Sequence, residues 1–240
     1  MANPLEQRAR KLLVERWNAV KETLGRLNMP DPRPEDAWSL FLLMDPQPNP
    51  DEIGFEVRPV VFNFRERANH RTADMYVVVC GRLYFDGAWI RENSLLRTRN
   101  FATEVAYFRM NNDGLDHVYG AHYDFEPNKA GHPVFHAQMR SFCERFQQIV
   151  DLYEFECKPN DLIPGVLRTV RLPSAQMDFF SFVLQLCADH LINEESGQEE
   201  LAAFKDLRTA SAAIQGAGFR FPGFADPAVR GCMRANHWYP

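Results

Sequence analysis

Residues 98–125 read TRNFATEVAYFRMNNDGLDHVYGAHYDF, and this stretch decides the fold. Thr98–Met110 is dense in aromatic and β-branched residues and reads as a strand. Asn111-Asn112-Asp113-Gly114 is a strong turn cluster, and His117–Phe125 is the returning strand. A third run, His132–Gln138, follows after a loop of about five residues. Two strands joined by so short a turn must run antiparallel, because a parallel pair needs a long crossover.

The same texture extends upstream. Phe55–Phe64 is rich in Val and Phe, and Met75–Phe85 contains Tyr76-Val77-Val78-Val79 before the turn signal Asp86-Gly87. Residues 86–97 read as a short helical or looped excursion. The spacing therefore predicts an α+β fold with an antiparallel sheet of about five strands.

Helical periodicity flanks the sheet. Leu5, Ala9, Leu12, Leu13, Trp17, Val20, Leu24 and Leu27 repeat at helical spacing, and the prolines from Pro30 onward are expected to end that helix. A short second helix is expected over Pro34–Met44. Residues 139–155 read as helix, and Gly165–Arg171 as one short strand. Another helix is expected from Pro173 to about Ile192, with Ser174 as N-cap, and a further one over Gln198–Ile214. In the helix after Pro173, Asp178, Gln185 and Asp189 form one stripe, opposed by Met177, Phe180, Leu184, Ala188 and Leu191. The reading is a single domain over 1–240, with a sheet core at 55–138 and a mainly helical C-terminal layer over 139–240.

Composition narrows the function classes. The chain has 240 residues, 45% hydrophobic and 25% charged, with a net charge of −5. That charge does not indicate a general nucleic-acid binder held by phosphate contacts. Between Glu56 and Arg109 the cations are nine arginines and no lysine, suited to gripping anions in pairs of hydrogen bonds or simply to solvation. The N-terminus lacks a continuous apolar region and no run approaches the ~20 residues that span a bilayer, so a cytoplasmic protein without membrane partners is expected.

Five scattered cysteines (Cys80, Cys143, Cys157, Cys187 and Cys232) include no CxxC pair, and read as reduced, buried thiols. Cys143 lies within an apolar helical pattern, which disfavours it as a nucleophile. Phosphate-loop, dinucleotide, HExxH, GxSxG and kinase signatures are absent.

The chemistry concentrates in the segment from Asp116 to Gln138, which holds four of the seven histidines. Strand side chains alternate, so His122 and Asp124 share one face, as do His132, Val134, His136 and Gln138. If the loop sets His122 opposite His136, these polar groups converge, and a slip of one residue separates them. Three readings are open. His122, Asp124 and His136 resemble a two-histidine, one-carboxylate set for a divalent metal, Zn or Mn, which Asp178 could complete. They could serve as a metal-free acid–base site. Or the histidines stack on Tyr119, Tyr123 and Phe135.

Two functional classes follow. One is a hydrolase or nuclease of phosphoesters, with His122, Asp124, His132 and His136 catalytic and Arg168 and Arg171 on the substrate. The other is a non-catalytic interaction subunit that docks a protein partner through its aromatic C-terminal tail (Phe219, Phe221, Phe224, Trp238, Tyr239).

Overall fold

Asn3 opens the first helix, α1 (Pro4–Arg26). Its side chain accepts the Leu5 amide at 3.0 Å, and the Glu6 carboxylate accepts the Asn3 amide at 2.9 Å, a reciprocal cap. Pro4 occupies the first turn, where a missing N–H costs nothing. The helix ends at Asn28, whose φ of 57° is left-handed. The amides of Asn28 and Met29 reach back to the carbonyls of Gly25 and Leu24 at 3.1 and 3.2 Å. This paired pattern closes α1 before Pro30, so the stop is set by Asn28 rather than by the prolines.

The computed structural model describes residues 3–30, 32–34, 36–45, 47, 51–68, 71–112, 114–125, 135–140, 146, 156–158, 171–174, 177–193 and 195–212. After α1 come α2 (Ala37–Leu40), β1 (Phe41–Leu43), β2 (Glu52–Ala68), β3 (Arg71–Asp86), α3 (Gly87–Asn93), β4 (Thr98–Asn111), β5 (Gly114–Phe125) and β6 (Phe135–Arg140). They are followed by β7 (Cys157–Lys158), β8 (Arg171–Pro173), α4 (Phe179–His190) and α5 (Gln198–Ala212).

Among the described residues these strands form one sheet in the order β1-β2-β3-β4-β5-β6-β8, with β7 pairing β5 in parallel. The fold is α+β, as the turn chemistry indicates, with helices before and after the sheet. The five long strands are β2 to β6. The additional strands have only two or three residues each.

The chain forms two compact units. The first comprises residues 1–62, 80–101 and 179–219. Its core is aromatic: Trp17 lies 5.4 Å from Phe179 and 6.3 Å from Phe180, and Phe41 contacts the same two rings. Phe41 belongs to β1, so the apolar run read as the end of a second helix is instead helix to Leu40 and strand thereafter. Asp86 caps α3 by accepting the Trp89 amide at 3.0 Å, and its other oxygen meets Arg99 at 2.6 Å.

Two expectations about α4 are corrected. The helix begins at Phe179, not beside Ser174; Ser174 continues the β6–β8 pairing instead, its amide donating to the Phe135 carbonyl at 3.2 Å. Its buried face is Phe179, Phe180, Phe182, Val183, Leu186 and Cys187. Leu184 and Ala188 are only partly covered, while Gln185 and Asp189 are exposed and bonded to each other at 2.7 Å.

The second unit comprises residues 63–79, 102–178 and 220–240 and contains β5 to β8. Gly114 starts β5 at a φ of 128°, and the next amide, Leu115, donates to Glu156 at 2.8 Å. That bond aligns β7 alongside β5. The helix expected over 139–155 is corrected at its start, where Met139 and Arg140 continue β6 and pair with β5; of the rest only Phe146 is described, and it is helical and fully buried. Among the described residues no helix is long and apolar enough to cross a membrane.

Candidate metal centre

The pairing of β5 with β6 fixes what alternation alone left open. The register sets Asp124 opposite His136, His122 opposite Gln138 and Phe125 opposite Phe135. The sequence leaves the register open, and the one formed is offset by two residues from a pairing of His122 with His136. β6 is described from Phe135, and residues 126–134, with the strand start expected at His132, lie outside the described residues. An offset of two preserves side-chain parity, so His122, Asp124, His136 and Gln138 still share one face. Tyr119, Tyr123 and Phe135 take the other face.

The geometry is tight. His122 Nε2 lies 2.9 Å from Asp124 Oδ2, and His136 Nε2 lies 3.9 Å from the same oxygen. The two imidazoles meet edge to face, with centroids 6.1 Å apart. One ligand atom from each of the three residues falls within 4.8 Å of the others. His136 is 1% exposed and His122 9%, while the Asp124 side chain is 25% exposed. The site thus has two nearly dry imidazoles and one carboxylate reaching solvent.

Those donors fit a small divalent cation. Ligands about 2.1 Å from a tetrahedral metal are about 3.4 Å apart, so the observed 2.9 and 3.9 Å would each change by only about 0.5 Å. A simple His–Asp pair accounts for His122. It does not account for a second Nε2 directed at the same carboxylate oxygen.

Other candidate residues fall elsewhere. Asp178 is fully buried just before α4 and is not part of the three-residue cluster. Arg171 stands opposite Gln138 in the β6–β8 register, one strand beyond the His122 row. The Arg171 side chain, His132, Arg168, Cys143 and the aromatic tail lie outside the described residues.

The fourth histidine of the segment, His117, is 4% exposed and packs 5.4 Å from Phe108. A bulge near Val118 shifts the β4–β5 register, so Tyr107 faces Tyr119 but Phe108 faces His117. His117 thereby joins the His122 face as a packing residue, several rows from the cluster. Glu104, which sequence reasoning missed, stands directly opposite His122 on β4. Only the β4–β5 register reveals it.

The described cysteines that titrate abnormally are poor nucleophiles. Burial pushes the Cys187 thiol up to about 12. Burial, then the nearby Asp116 charge, pushes Cys157 up to about 11. No family model, no curated protein and no solved structure matches the chain.

Proposed function

We propose that the chain is a metal-dependent hydrolase of phosphoesters, in which His122, Asp124 and His136 hold one divalent cation, zinc or manganese. The observation that carries this reading is the convergence of two imidazole nitrogens on one partly exposed carboxylate oxygen. Three protein ligands leave a coordination position open, as catalytic rather than structural sites do. A cation there would supply Lewis acidity toward a phosphoryl oxygen and a water that is nucleophilic near neutral pH. The chain's own residues have separate tasks. The two buried imidazoles bind through Nε2, and Asp124 balances charge on the solvent side. The substrate class is supported by the arginine-only cation run from Glu56 to Arg109 and by the backbone position of Arg171 beside the Gln138 row.

The test is elemental analysis of the purified chain, followed by hydrolysis of bis(p-nitrophenyl) phosphate with added Zn²⁺ or Mn²⁺. About one cation per chain is expected. His122→Ala, His136→Ala and Asp124→Asn should lose the metal and at least about 100-fold in turnover. A metal-free wild type whose turnover matches all three variants sinks the proposal.

A further inference from the structure

We infer that Glu104 is a positioning residue for this site: when a metal binds, its carboxylate turns to accept the Nδ1 proton of His122, a bond not made in the metal-free chain, and so fixes the ring with Nε2 free to ligate. The inference rests on the metal reading above and adds a residue that lies outside the ligand set.

The argument begins at the two nitrogens of one ring. His122 Nε2 faces Asp124 at 2.9 Å, so Nε2 is the nitrogen on the ligand side. Nδ1 is then the nitrogen directed away from the cluster. It is buried, and among the described residues it has no hydrogen-bond partner. An imidazole that ligates through Nε2 must carry its proton on Nδ1, and a buried N–H without an acceptor costs about 1–3 kcal/mol. Metal-ligating histidines meet this need by donating to a carboxylate, a carbonyl or a water, which fixes the tautomer and raises the basicity of the ligand.

The fold supplies one carboxylate at the right place. Glu104 is the cross-strand partner of His122 in the β4–β5 register, and directly opposed residues place their Cβ atoms about 4.5–5.5 Å apart on the same face. Glu104 is half-buried, so its carboxylate is held near the sheet. It is also absent from the group of converging ligand atoms. A direct ligand would have to join that group, whereas a residue acting through His122 need not. Gln138 on β6, also opposed to His122, offers only a neutral amide oxygen, a weaker acceptor than a carboxylate, and Arg171 beyond it on β8 offers no side-chain acceptor.

The experiment uses the full chain and Zn²⁺ alone, titrated in competition with a chromophoric chelator, on wild type, His122→Ala, Glu104→Ala and Glu104→Gln. Melting of each metal-free protein is recorded in parallel. Zinc affinity is expected to fall about 10–100-fold in Glu104→Ala. Glu104→Gln, which keeps an oxygen acceptor and the shape, should lose less. In the zinc-bound wild type the His122 Nδ1 proton should be visible by NMR and slow to exchange, and it should lose that protection in Glu104→Ala. If wild type binds no zinc, the metal reading fails and this inference fails with it. If wild type binds, His122→Ala does not, and both Glu104 variants bind as tightly as wild type with the Nδ1 proton unchanged, the metal reading stands and the role of Glu104 is refuted.

Discussion

Substituting Gly114 by alanine should destabilise the protein without altering the candidate site at His122, Asp124 and His136. Gly114 has a φ of 128°, where a side chain is strained, at about 1–2 kcal/mol for a left-handed residue. A Cβ added there would also press on the Glu156 carbonyl, within 3.2 Å of its carbon and closer still to its oxygen. That carbonyl accepts the Leu115 amide at 2.8 Å, a bond worth about 0.5–1.5 kcal/mol net. Together these give about 1.5–3.5 kcal/mol, or a fall of about 3–14 °C in Tm for a chain of this size. His122 is eight residues along β5, about 27 Å away at the rise of an antiparallel strand. Zinc affinity at 25 °C should therefore be unchanged. The assay is thermal melting by circular dichroism, beside the chelator competition used for Glu104. A melt within 2 °C of wild type would show that the β5–β7 contact is not held by this glycine. A large loss of zinc affinity in folded protein would show that the site is coupled to the start of β5.

Two further predictions concern the first unit. Trp17→Ala removes a fully buried ring that packs on Phe179 and Phe180, and should cost about 3–5 kcal/mol in urea unfolding; a loss below about 1 kcal/mol would refute its central place in the core. The Cys187 thiol keeps its proton to higher pH in the folded chain than in the unfolded one. Its contribution is therefore complete below the unfolded value near 9 and is lost as pH rises toward about 12. The stability of wild type relative to Cys187→Ala should fall by on the order of 2 kcal/mol between pH 9 and pH 11. A difference that stays constant across that range would refute the burial argument.

The long strands were legible because each carries its own signal. Val and Phe density marks β2 and β3, and Asn111 to Gly114 marks the turn into β5. Strands β1 and β8 were not fully legible, because three residues carry no usable period. Phe41–Leu43 continues an apolar run that reads equally well as helix, and only pairing with β2, Phe41 to Val57, makes it a strand. The start of α4 was misread for a related reason. Ser174 is a good cap by residue type, but its backbone extends the β6–β8 pairing, bonded to Phe135, a partner far away in sequence. Local preference is overruled wherever a backbone group finds its partner across the fold.

The candidate site shows where sequence reading works for strands and where it stops. Alternation makes parity a local property: His122 and Asp124 share a face whatever they pair with. Register is not local, because it depends on how many residues the connection uses and on every bulge. The β5–β6 pairing is offset by two from one that would set His122 opposite His136, and the three residues still share a face because two is the period of the strand. A difference of one would have sent His136 to the Phe135 face. On the other side of β5, the shift near Val118 brings His117 onto the same face as His122, although an odd number separates them in sequence. Glu104 depends on that second register alone, which is why no pattern within residues 116–138 could point to it. Residues that touch through neighbouring positions on one strand are therefore readable from sequence, whereas those that touch across strands need the register first.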